Sequence, residues 1–307
     1  MRTIDAVHLG LMLAALAITY LVPFELLLLS YVVLGPAHYF TEISWLHDRK
    51  YFLPRRNIAF GLAGVAVVAA LIDNAARFGF VIWMVFVACA LLTTTTAAQS
   101  AVLTFAALAV TAIMAANGSS LAVLGILLPT LIHVSLFTLV FMTLGAYRSG
   151  SKAQAFLVFV YLLAIGIIVL APPSAATQIP AFAKAGQEYF GNVGPALGRL
   201  LDVGNLRLDT RLTSLLAFVY TYHYLNWFIK ADVIRWAEIP RPRLALVVAA
   251  SATSTALYFY DYAFGFTVLL ALSLVHVVLE FPLNSLALRQ LSAAVGQGFA
   301  QRLHGRA

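Results

Sequence analysis

The stretch Leu34-Gly-Pro-Ala-His-Tyr-Phe-Thr-Glu42 places a histidine and a carboxylate four residues apart inside an otherwise apolar run. Residues i and i+4 share one face of a helix, so a helical run points His38 and Glu42 the same way. Ionisable groups are expensive inside a bilayer and mark a functional site there by default. The reading of this stretch therefore turns on whether the segment around it crosses a membrane.

Composition answers that question. Of 307 residues, 62% are hydrophobic and only 10% are charged, against about 25% charged in soluble domains. Apolar runs of about 20 residues recur along the chain, the length that a spanning helix needs. They lack the alternation of barrel strands, and backbone groups in lipid must be satisfied within the segment. The fold class is therefore all-α: a polytopic integral membrane protein, one transmembrane helical domain over 1–307. Lone Cys89 excludes an intrachain disulfide and a thiolate metal cluster, and it reads as a small packing residue. The net charge of +7 sits in short loops between spans, a pattern of membrane orientation rather than of nucleic-acid binding. The first span lacks a cleavage pattern and is followed at once by another, so it is not read as a signal peptide.

Ten spans are expected, over about 5–22, 24–46, 57–73, 79–97, 98–116, 121–147, 155–171, 212–229, 244–260 and 265–286. The polar run Thr93 to Thr96 is assigned to the end of the fourth. The long connection of about 174–209 reads as an extracytoplasmic loop carrying an interfacial helix, and a basic tail follows the tenth span. With both termini in the cytoplasm, 14 of the 19 lysines and arginines fall on the inner side. That asymmetry is the positive-inside pattern and points to a prokaryotic inner membrane.

In this topology His38, His133, His223 and His276 lie on spans two, six, eight and ten, all running inward. The next basic residue comes 11, 15, 7 and 13 positions later. At about 1.5 Å per residue the four lie within roughly 12 Å of one another in depth, in the inner leaflet. Taken singly, each also suits a core histidine bonded across helices. Together they suggest a shared metal site, since imidazole is the commonest metal ligand and helix bundles build metal sites from facing side chains. Glu42 and Glu280 each stand four residues after a histidine, as groups that orient a ligand or as ligands themselves; ion pairing with a basic residue at the inner interface is the other reading. Tyr220 and Asn226 share the face of His223, and with the two glutamates they complete the candidate catalytic set. Pro36, Pro129 and Pro282 each free a carbonyl and bend a helix.

Four imidazoles without a thiolate disfavour structural zinc and iron–sulfur clusters and leave iron, copper and zinc open. Intramembrane histidine and glutamate also suit a proton- or ion-coupled transporter. Histidine pairs from two helices also suit a haem-binding electron-transfer protein.

The pattern resembles the Brp/Blh family of membrane β-carotene 15,15′-dioxygenases. Gly35-Pro-Ala-His38 with Glu42 resembles that family's Pro-His-Gly-x-x-Asp motif. Leu131-Ile-His133 stands where its His-Phe-Gly falls, Tyr222-His-Tyr-Leu-Asn-Trp227 resembles its aromatic histidine segment, and Val275-His276 with Glu280 resembles its late histidine followed by an acid. Pro and Gly are rearranged around His38, no glycine follows His133, and Asn226 or Trp227 stands where a second histidine would. The resemblance implies Fe(II) held by four histidines, O₂ as co-substrate, and oxidative cleavage of a carotenoid or another lipophilic small molecule drawn from membrane lipid.

Overall fold

The computed structural model describes residues 3–72, 74–116, 128–173, 208–230 and 238–304. Every regular element among them is helical. In chain order these are α1 (Thr3–Leu21), α2 (Pro23–Asp48), α3 (Asn57–Ala70), α4 (Ala75–Leu92), α5 (Ala97–Ala116), α6 (Leu128–Ser149), α7 (Lys152–Leu170), α8 (Leu208–Ile229), α9 (Arg241–Tyr260) and α10 (Tyr262–His304). Five are long and apolar enough to cross a membrane: α1, α2, α6, α7 and the Tyr262–Gly296 part of α10. Shorter apolar stretches lie in α3, α4 and α5.

Local chemistry sets the boundaries. Pro23 cannot continue α1 but suits the first turn of α2. Gly150 closes α6 in the left-handed conformation at φ 60°, where lack of a Cβ removes the steric cost. The Ser151 side chain then accepts the Gln154 N–H at the start of α7. Asn74 caps α4 by accepting the Arg77 N–H, and Asp261 caps α10 by accepting the Phe264 N–H at 3.0 Å.

Two boundaries differ from the sequence expectation. α4 ends at Leu92 and does not take in Thr93 to Thr96. Those hydroxyls build the turn instead: Thr93 and Thr94 donate to the carbonyls of Ala90 and Leu91, and Thr96 accepts the Gln99 N–H. Threonine competes with the helix in this way because its side chain offers the backbone local partners. α10 continues to His304 instead of giving way to a tail after Leu286, since no proline or glycine pair stops it there. The expected interfacial helix of the long connection falls on 174–207, outside the described residues, as do the start of the sixth span and residues 231–237 of the loop after the eighth.

Two helices change register near the expected site. Ser30–Leu34 of α2 and Leu128–Phe137 of α6 are π-helical, a form that is rare and concentrated at functional positions. Pro36 explains the first. It has no N–H for the Val32 carbonyl, and Thr255 of α9 donates its hydroxyl to that oxygen at 2.9 Å. An unsatisfied carbonyl in hydrocarbon costs several kcal/mol, so Thr255 fixes α9 against the bend.

α8 packs against α1, α2, α6 and α7, and α10 packs against α2, α3, α4, α6 and α9. Two apolar cores result. One is rich in aromatics, including Tyr31, Tyr39, Tyr161, Phe218, Tyr222 and Tyr224. The other joins Leu46, Ala66, Ile82, Cys89, Val278 and Phe281, so Cys89 is a packing residue as expected. Outward faces are apolar: Phe60, Phe105, Leu170 and Leu246 are largely exposed. The buried set, by contrast, includes Asp5, Glu42, Glu280 and four histidines. Polar inside and apolar outside is the partition expected when lipid is the solvent. Asp48 at the end of α2 binds Arg243 of α9 through two contacts of 2.6 and 3.0 Å, tying that end of the bundle together.

Candidate metal centre

His38 (α2), His133 (α6), His223 (α8) and His276 (α10) meet in one buried cluster. Their rings form a closed circuit. Centres lie 4.8 Å apart for His38–His223, 5.2 Å for His223–His133, 5.0 Å for His133–His276 and 4.7 Å for His276–His38. All four pairs are steeply inclined, by 65° to 80°.

Protein-only hydrogen bonding does not account for this arrangement. His38 Nε2 lies 3.1 Å from His276 Nε2, 3.2 Å from His223 Nε2 and 3.0 Å from Glu42 Oε2. One ring nitrogen carries one hydrogen or one lone pair, so it can serve only one of the three. His276 Nε2 also lies 3.2 Å from Glu42 Oε2 and 3.7 Å from Glu280 Oε2. His133 Nε2 and Glu280 Oε2 stand 3.4 Å apart, and neither makes a hydrogen bond. Buried polar groups left this way cost about 1–3 kcal/mol each.

A central cation would remove the conflict. Ligand nitrogens bind a metal such as zinc at about 2.0–2.1 Å, which puts neighbouring nitrogens roughly 3.0–3.4 Å apart and neighbouring ring centres roughly 4.5–5.2 Å apart. The measured separations fall at or inside those ranges. Two candidate ligand groups overlap here, His38–His223–His276 and His133–His276–Glu280. They share the single lone pair of His276 Nε2, so the geometry favours one ion over two. Charge agrees: one divalent cation would neutralise Glu42 and Glu280. Among the described residues neither glutamate forms a salt bridge with a lysine or arginine.

The carboxylates face Nε2, the nitrogen turned toward the centre of the cluster, and so stand on the ligand side. They do not orient the rings from behind through Nδ1. That role falls to Thr138 of α6, whose Oγ1 lies 2.8 Å from His223 Nδ1. The Nδ1 atoms of His38, His133 and His276 make no hydrogen bond among the described residues. Thr138 follows His133 by five positions. A search at α-helical spacing passes over it, whereas the π register closes each turn on the fifth residue.

Tyr220 does not reach the ring of histidines. It packs edge-on against Tyr31 and Tyr224, at 6.3 and 5.8 Å, one aromatic layer away. Asn226 does reach the site region, lining the adjoining cavity. The indole of Trp227 stands edge-on to His38 at 5.5 Å and donates to Thr41 Oγ1 at 3.0 Å. Asn284 was not anticipated. It follows Glu280 by one turn of α10, is wholly buried, and has neither amide atom hydrogen-bonded.

A cavity of about 540 Å³ reaches the cluster through His38, Glu42, His223 and Glu280. Its walls include Trp45, Phe141, Leu157, Tyr222 and Trp227, and its lining also carries Arg148 and Lys230. No family model matches the chain, and neither the curated proteins nor the solved structures contain a significant match.

Proposed function

We propose that the protein is a membrane-embedded non-haem iron oxygenase whose metal is held by His38, His133, His223 and His276 and whose substrate is lipophilic. The observation that carries the metal reading is the closed circuit of four buried imidazoles, whose nitrogens converge without hydrogen-bond partners enough to satisfy them. The choice of iron and O₂ rests on the motif resemblance and on a ligand set without sulfur. Bound Fe(II) would supply the dioxygen chemistry, including oxidative cleavage of a carotenoid.

The chain's own residues have separable tasks. The four imidazoles would hold the metal. Glu42 and Glu280 would neutralise its charge, and Glu42, whose Oε2 lies 3.0 and 3.2 Å from the Nε2 atoms of His38 and His276, would stand as an additional ligand. Thr138 holds the His223 ring in orientation. Trp45 and Trp227 stack edge-on at 5.5 Å and exclude water from the cavity wall. Asn226 offers an amide to a polar part of the substrate.

The ten helices correspond to ten spans with both termini in the cytoplasm of a prokaryotic inner membrane, a reading supported by the 14 of 19 basic residues on one side. The histidines then occupy the inner leaflet. A haem reading has less support, because a porphyrin between rings would have to part nitrogens that lie 3.1 and 3.2 Å from each other.

The test is dioxygen uptake by iron-loaded protein in nanodiscs supplied with β-carotene or other apolar polyenes. Uptake that depends on substrate and vanishes in His133→Ala supports the assignment. Iron-loaded protein that consumes no dioxygen with any lipophilic substrate, yet moves protons or ions across liposomes, replaces it with a transporter.

A further inference from the structure

The cavity beside the metal cluster is not uniformly apolar, and its chemistry selects a kind of substrate. Its lining joins the buried His38, His223, Glu42 and Glu280 to the exposed Arg148 and the half-buried Lys230, with Asp5 buried on the same lining. The glutamates face the histidines. The more exposed end of the lining therefore carries two formal positive charges, Arg148 and Lys230. Lys230 forms no salt bridge among the described residues, and its ammonium stands 5.9 Å over the Phe141 ring. Among the described residues Arg148 pairs with a neutral partner, donating to Gln290 Oε1 at 2.7 Å.

Between the two ends the wall is aromatic and aliphatic, with Trp45, Phe141, Met142, Leu157 and Trp227. The volume of about 540 Å³ is in the range of pockets that hold a whole small-molecule ligand, so the space admits a long apolar chain. Lys230 follows His223 by seven residues at the end of α8, an axial distance of about 10 Å.

We infer that this cavity binds a single-chain anionic amphiphile, with its head group on Lys230 and Arg148 and the middle of its chain against the histidine cluster. The inference rests on the cluster being the reaction centre, and it makes Lys230 and Arg148 the residues that set specificity. An uncharged polyene would fill the apolar wall but leave Lys230 and Arg148 unused. An acid-headed chain uses both, with its middle beside the histidines.

The assay is displacement of a fluorescent polyene fatty acid from the full-length protein in neutral detergent, run on metal-loaded and on chelator-treated samples. Competitors are hexadecanoate, hexadecyl phosphate, hexadecan-1-ol and hexadecylamine. One or both anions should compete at least tenfold better than the alcohol and the amine, and the better anion names the head group. Lys230→Gln should weaken the anion by roughly tenfold or more, the scale of a charged hydrogen bond, while leaving the alcohol unchanged; Lys230→Arg should restore it. The preference should persist after chelation, so a protein that binds no metal would still report on Lys230 and Arg148. Equal competition by acid and alcohol overturns the inference. So does a Lys230→Gln or Arg148→Gln effect that is absent, or that is the same for both competitors.

Discussion

Thr138→Val is the most informative single substitution, because it removes one hydroxyl and nearly preserves shape. Thr138 Oγ1 and His223 Nδ1 are 2.8 Å apart, and both residues are buried. Once His223 binds a metal through Nε2, its Nδ1 carries the hydrogen and Thr138 accepts it. Valine leaves that N–H without a partner, at about 1–3 kcal/mol. The cost falls mainly on the metal-bound state, in which the tautomer is fixed. Loss of an outer-shell partner lowers metal affinity roughly 10- to 100-fold, which at about 1.4 kcal/mol per decade is the same range. Chelator competition on purified Thr138→Val should therefore show iron held 10- to 100-fold more weakly, with Thr138→Ser close to the parent. Thr221→Val is the control. It breaks another buried hydroxyl pair, with Ser30 at 2.6 Å, away from the cluster, and should lower stability without altering metal affinity. Parental affinity in Thr138→Val, or an equal loss in Thr221→Val, would refute the role assigned to Thr138.

Other consequences concern the scaffold. A Cβ on Gly265 would lie 2.2 Å from the Tyr258 Cα and 2.6 Å from its nitrogen, so Gly265→Ala should destabilise by about 3 kcal/mol or more through overpacking against backbone, read as a large fall in Tm. Lys50, Tyr51 and Phe52 all adopt left-handed backbone at φ 53° to 57°, at about 1–2 kcal/mol per residue. Lys50→Gly should therefore raise stability, by roughly 0.5–1 kcal/mol after the added freedom of the unfolded chain, and a lower Tm would argue against that turn. Asp48→Asn removes a contact whose partners are 46% and 30% exposed; it should change stability by no more than about 1 kcal/mol and weaken in effect at high salt.

Much of the architecture was legible because apolar runs and prolines carry strong local signals: Pro23 divides the first two helices, and Asp261 starts the last. The four histidines were legible as a group because helical rise converts sequence position into depth. What sequence could not supply was register. The π segment around Pro129 shifts which residues share a face, so Thr138 escaped notice; Tyr220 shares a helical face with His223 but packs against Tyr31 and Tyr224 instead of the cluster. Long-range satisfaction was equally hidden: nothing near Val32 in sequence announces that Thr255 donates to its carbonyl. Lys230 follows a span in sequence as a loop charge would, because Phe141, the ring beneath its ammonium, comes from a helix over 80 residues earlier in the chain.

The central claim is that four histidines from four helices converge on one metal ion. The most direct measurement is elemental analysis of the purified protein beside its single His→Ala variants. One equivalent of iron per chain is expected, largely lost in each of His38→Ala, His133→Ala, His223→Ala and His276→Ala, and retained in His47→Ala, whose side chain is half exposed beside Asp48. No bound transition metal, or a metal content indifferent to these four substitutions, would contradict the account.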